Sequence, residues 1–145
     1  MPNISQTTKD KRLAINRPRS IAYIRRFLKE NELGGHRLDL ARNLFPYMNT
    51  IFFNDALTGI TFNSLRLSDR WGDYEDNTRI LRLHLSINNR ARLVGTLLHE
   101  LCHAAVHQIN KTVEKDQHGP IFLSWLTKVQ EVFTELTDDL VCRPP

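Results

Sequence analysis

The chain has 145 residues, 41% of them hydrophobic and 25% charged, which is the make-up of one globular domain with a real core rather than a disordered segment. No stretch approaches the roughly 18–20 uninterrupted apolar residues of a membrane span, and Met1–Lys11 is too polar to form the apolar centre of a secretory signal. The net charge of +4 is uneven: residues 1–42 hold ten Lys/Arg against four Asp/Glu, whereas residues 43–145 hold ten against twelve.

Taken in order, residues 1–18 read as a flexible basic arm punctuated by Pro2 and Pro18. Ser20–Asn31 reads as a helix, with Ile21, Ile24, Phe27 and Leu28 at helical spacing and Arg25, Arg26 and Lys29 opposite. Gly34-Gly35 ends it. The exposed cations Arg19, Arg25, Arg26 and Lys29 are the candidate contacts for a polyanion such as single- or double-stranded DNA; the competing reading is a solvated helix face. A second helix is expected after Asp39 as its cap, with Leu40, Leu44, Tyr47, Met48, Ile51 and Phe52 as its buried stripe and a start or kink at Pro46. Ile60–Leu67 alternates as a strand, Arg70–Asn77 is polar enough to be a turn, and Arg79–Ser86 alternates as a half-buried strand at a sheet edge.

Asn88 or Asn89 then caps a long apolar helix of about residues 90–110. A polar loop follows, and Pro120 suits the first turn of a last helix whose stripe includes Phe122, Trp125, Leu126 and Val129. Thr137–Pro145 reads as a short tail. The order helix, helix, strands, helix, helix is that of an α+β domain.

The chemistry concentrates in His99-Glu100-Leu101-Cys102-His103. At ~3.6 residues per turn, His99 and His103 lie one above the other, so both imidazoles reach one ion while Glu100 reaches a water beside it. The helix around the pair is apolar, and semi-buried polar groups need partners. A catalytic zinc takes three protein ligands and keeps one open position. His118, 15 residues beyond His103 and just before the last helix, is the best third ligand. His107 is not, because three ligands on one straight helix span ~12 Å; it reads as a partly exposed histidine near the cleft. His84 and His36 read as surface residues, Cys102 as a small core residue, and Trp71 as a candidate cleft wall. No residue stands out as the group that stabilises an oxyanion; Tyr74, Arg70 and His107 are all candidates. Two cysteines, Cys102 and Cys142, cannot make a four-cysteine zinc ribbon, and they fit a reducing intracellular compartment.

Leu97–Ala105 together with His118-Gly119-Pro120-Ile121-Phe122 resembles the SprT-like zinc metalloproteases, the family that includes the Spartan-type DNA–protein crosslink proteases. The likeness extends to the helix at Leu44–Leu57 and the strand at Ile80–Ser86, and so covers about residues 40–135. It departs at Phe62-Asn63-Ser64 and Arg70-Trp71-Gly72, where the family often carries Trp-Ser and Thr-Ala-Gly. The resemblance implies a zincin-like fold over residues 19–137, Zn2+ on His99, His103 and His118, and Glu100 as catalytic base. It also implies a protein substrate, with DNA as a further partner; the composition adds the expectation of no membrane partner and an intracellular location, nuclear in a eukaryote and cytoplasmic otherwise, and a monomer is expected. Two other readings stand beside it: a DNA-binding module whose zinc site is structural or inactive, and a zinc protease unrelated to DNA.

Overall fold

The computed structural model describes residues 6–140, with side chains from residue 16 onward. The elements are α1 (Gln6–Phe27), α2 (Arg37–Phe53), β1 (Thr61–Leu65), β2 (Gly72–Glu75), β3 (Ile80–His84), α3 (Arg90–Gln108), α4 (Pro120–Val132), a 3-10 turn at Thr134–Leu136 and α5 (Thr137–Leu140). The expected α+β class holds.

Helix α3 is the centre. All of Leu93–Cys102 is buried, which is what an apolar sequence all round a helix requires. Asn89 caps it, its side chain accepting from Arg92 N. Around α3 pack α2, α4, α5 and β2, with β1 against α2. The largest fully buried side chains include Phe53, Phe122, Phe133, Leu93, Leu97 and Leu98.

Four expectations need correction. Helix α1 begins at Gln6 rather than Ser20 and runs through Pro18, so the span read as an arm is helical from Gln6 on. A proline inside a helix costs ~3 kcal/mol; packing on α2 offsets that, through Arg17 Nε donating to the Ile51 carbonyl at 2.9 Å and Tyr23 stacking on Tyr47 at 3.9 Å. Residues 1–5 and the side chains of Lys9, Lys11 and Arg12 lie outside the described residues. Helix α2 is capped by His36, not Asp39: His36 Nδ1 accepts from Leu38 N at 3.2 Å. The helix also continues through Pro46 without a break in the assignment.

The polar stretch 70–77 contains a strand, and it displaces β3 from the sheet edge. The order is β1-β3-β2, with β1 parallel and β2 antiparallel to β3. Alternation reports faces, not edges, so the Leu81/Leu83 pattern was compatible with a central strand. Strand β2 escapes detection because cross-strand charge replaces apolar pairing. Asp73 sits opposite Arg82, which donates to Asp73 Oδ1 at 3.1 Å and to Glu75 Oε2 at 2.6 Å.

The segment from Thr137 is not a tail up to Leu140. Leu140 is fully buried and α5 packs on α3. Cys142 and the rest of residues 141–145 lie outside the described residues.

Candidate metal centre

His99 and His103 project from the middle of α3 and His118 from the loop before α4. One ring nitrogen from each lies within 4.8 Å of the other two. The ring centroids form a nearly regular triangle: His99–His103 5.1 Å, His99–His118 5.2 Å and His103–His118 5.3 Å. Zinc–nitrogen bonds of ~2.0–2.1 Å suit a set this close. His99 is buried, His103 half-buried and His118 exposed, so the cluster opens to solvent on the His118 side.

Each ligand candidate is held by a different device. His99 Nδ1 lies 2.6 Å from the Leu140 carbonyl oxygen. A carbonyl only accepts, so Nδ1 carries the proton and Nε2 presents its lone pair to the cluster. His103 stacks on Phe122 at 4.2 Å with rings 19° apart. The Phe122 ring also lies 5.0 Å from His99 and 4.9 Å from His118, an apolar floor common to all three. His118 is fixed through its backbone, with its N–H donating to Asp116 Oδ1 at 2.9 Å. Glu114 then closes the start of α4 by accepting from Ile121 N at 3.0 Å and Phe122 N at 2.8 Å. Its carboxylate occupies the space a side chain at Gly119 would need, which is why glycine follows His118.

Burial sets the protonation states. Desolvation lowers His99 to about 4, against the Leu140 bond and with help from His118. Desolvation, then His99 and His118, lower His103 to about 3. Both imidazoles are therefore neutral at pH 7 and ready to ligate without releasing a proton. Glu100 is 4% exposed, with Oε2 4.0 Å from His99 Nε2. Desolvation, then Asp73, raise it to about 8, and Arg70 partly opposes them.

These groups line one cleft of about 560 Å³ between α3, β2 and the 112–118 loop. Tyr74 and His107 share that cleft. Trp71 is not among its lining residues: it meets His84 edge-on at 5.7 Å and lies under the Arg92 guanidinium at 4.9 Å. His84 is not a surface residue but 5% exposed, its Nδ1 accepting from Ser86 N at 2.9 Å. Cys102 is fully buried in the core, as expected. Arg19, Arg25 and Arg26 on α1 and Lys29 in the turn after it are exposed and line no part of the cleft. Arg25 is engaged structurally, donating to the Val132 carbonyl at 2.5 Å and lying 5.6 Å over the Phe133 ring.

Sequence reading missed three contributors. Phe122 was legible only as core; its place in the first turn of α4, directly after the loop that carries His118, is what puts it under the cluster. Glu114 had a weak signal, an acid ahead of a proline-started helix. The Leu140 carbonyl had none, since a backbone atom 41 residues from His99 leaves no side-chain pattern.

Among known proteins, the chain is 27% identical over 130 residues to the germ cell nuclear acidic protein of Drosophila melanogaster, an alignment covering 81% of this chain and 12% of that protein. The chain thus spans only a small part of that relative's length. No solved structure matches it. The model of the SprT-like family matches residues 41–141, which include α3, the His118 loop and α5. With that match over most of its length, the chain belongs to the SprT-like family.

Proposed function

We propose that this protein is a zinc-dependent endopeptidase with a zincin-like fold, acting on DNA-associated or DNA-crosslinked proteins. The observation that carries the reading is the convergence of three imidazoles from two elements, with the buried Glu100 beside them, at the wall of an open cleft. His99, His103 and His118 would hold the ion. When bound there, zinc supplies acidification of a water and polarisation of a peptide carbonyl.

The rest of the chemistry is the chain's own. In the absence of a cation, burial keeps Glu100 largely protonated at neutral pH. A divalent charge among the imidazoles favours its carboxylate. As carboxylate, Glu100 accepts the proton of the attacking water and returns it to the leaving amine. The Leu140 carbonyl holds the His99 tautomer throughout. A closed structural zinc site needs four protein ligands; among the described residues the clustered set has three, which favours the catalytic reading over the structural one.

The DNA link rests on the family resemblance, the word "nuclear" in the relative's name, and the exposed cations Arg19, Arg25, Arg26 and Lys29 on α1 and the turn after it. Zinc analysis of protein purified without chelator, with cleavage of a generic protein by wild type and Glu100→Gln in the presence and absence of DNA, tests both parts. Glu100→Gln is expected to keep zinc and lose at least ~100-fold in rate. Cleavage that depends on DNA and weakens as salt rises supports the DNA link. Because Arg25 is tied to Val132 and Phe133, the informative neutralisations are Arg19, Arg26 and Lys29. Absent zinc, or a fully active Glu100→Gln, refutes the peptidase.

A further inference from the structure

One polar chain that reaches the cleft through Tyr74 and His107 is not used by the three histidines and Glu100. Gln108, at the end of α3, makes bonds to the Thr58 backbone that fix its amide without ambiguity. Thr58 N donates to Gln108 Oε1 at 2.9 Å, and Gln108 Nε2 donates to the Thr58 carbonyl at 3.0 Å. A backbone N–H cannot accept and a carbonyl cannot donate, so the nitrogen is the atom that faces Tyr74. Gln108 Nε2 lies 3.2 Å from the Tyr74 hydroxyl and donates to it. That hydroxyl lies 3.1 Å from His107 Nδ1. Among the described partners, Nδ1 is the acceptor available to the Tyr74 proton.

The consequence falls on His107. With Nδ1 accepting from Tyr74, a neutral imidazole carries its proton on Nε2. His107 stands one turn beyond His103 on α3 and lines the same cleft as His99, Glu100, His103 and His118. Tyr74 comes from β2, on the facing wall, and burial keeps its phenol protonated. The structure therefore places His107 on the wall of the cleft that holds the three-histidine cluster, with Nδ1 in reach of the Tyr74 hydroxyl and Tyr74 anchored through Gln108 to the Thr58 backbone; with Nδ1 accepting, Nε2 is the ring's N–H donor. Such a donor is what developing negative charge on a carbonyl oxygen requires.

Resting on the peptidase reading, we propose that His107 Nε2–H donates a hydrogen bond to the substrate carbonyl oxygen as it gains charge, with Tyr74 as the positioning residue that fixes the His107 tautomer and Gln108 as the anchor of Tyr74. His107 thereby acts as a catalytic residue in addition to Glu100, and not as a fourth metal ligand.

The test uses the zinc-loaded chain with casein as substrate. Wild type, Glu100→Gln, His107→Ala, His107→Gln, Tyr74→Phe and Gln108→Ala are compared in kcat, KM and zinc content. Nitrogen-15 NMR of the His107 ring reports its tautomer independently of turnover. The expected results are a ~100-fold fall in kcat for His107→Ala with KM and zinc unchanged, partial recovery in His107→Gln, whose amide can donate, and a ~10-fold fall for Tyr74→Phe. The His107 signal should be that of the Nε2–H form in wild type and a mixture in Tyr74→Phe. His107→Ala at the wild-type rate, a rate lost only together with zinc, or an Nδ1–H tautomer in wild type each overturns the proposal. Zinc-loaded wild type that leaves casein and other unfolded proteins intact overturns the peptidase reading, and the substrate contact with it; active wild type with an active His107→Ala overturns the His107 role alone.

Discussion

Gly95→Ala sets two effects of opposite sign against each other. Gly95 lies in the middle of α3, one turn before His99 and on the same side. By helix propensity alone, alanine there stabilises by ~1 kcal/mol. But a Cβ on Gly95 would stand 2.9 Å from the backbone carbon and 3.0 Å from the carbonyl oxygen of Asp139, and closer still to its Cβ. Those atoms are mostly backbone and cannot rotate away, so α5 must lift. Helix α5 carries Leu140, fully buried, whose burial is worth ~1.5–3 kcal/mol. It also carries the Arg92–Asp139 pair at 3.4 Å and the carbonyl that fixes His99. Overpacking of this kind costs ~1–3 kcal/mol. The net expectation is destabilisation of ~1–2 kcal/mol, a fall of several degrees in melting temperature, and a ~10–100-fold loss of zinc affinity from the lost His99 partner. Thermal unfolding in chelator reads the first, and competition against a chromophoric chelator reads the second. In a chain ending after Leu136 the same substitution should turn stabilising, because the Asp139 atoms that a Cβ would meet most closely are then gone. If Gly95→Ala raises the melting temperature of the full chain and leaves zinc affinity intact, α5 is not seated on α3 as described.

Two further outcomes follow from the cluster. Phe122→Ala removes the common floor of the three imidazoles and a side chain only 1% exposed; it should cost ~3–5 kcal/mol by denaturant unfolding and weaken zinc binding, whereas Phe122→Leu, which keeps most of the volume but not the ring, should keep most of the stability and still weaken zinc binding. The metal-free chain should be least stable at both ends of the pH range. His99 and His103 titrate lower when folded (about 4 and 3) than unfolded (~6.5), so stability is lost as pH falls below ~6.5. Glu100 titrates higher when folded (about 8) than unfolded (~4.5), so its contribution is present in acid and lost as pH rises towards 8. Chelator-treated Glu100→Gln should therefore gain on wild type between pH 5 and pH 9, by a few kcal/mol in order of magnitude; a pH-independent difference in denaturant midpoints would show that Glu100 is not buried as a lone acid.

The ligand-bearing spacing was set by local rules. The i, i+4 geometry of a helix places His99 and His103 together whatever surrounds them, and the apolar run from Leu93 to Leu101 commits α3 to the interior. Pro120 and the polar loop before it fixed where α4 starts, and thereby put His118 near a helix N-terminus. What sequence could not give was anything that depends on a partner far along the chain. Strand β2 exists because Asp73 and Glu75 find Arg82 across the sheet, and its own residues carry no apolar alternation. Helix α1 passes Pro18 because α2 is there to hold it. The tautomer of His99 is decided by a backbone carbonyl of Leu140, and the orientation of His107 by a tyrosine 33 residues away that is itself held from the Thr58 backbone. Periodicity and spacing encode which residues share a face of one element; hydrogen-bond direction, burial and the state of each proton arise only when the elements meet.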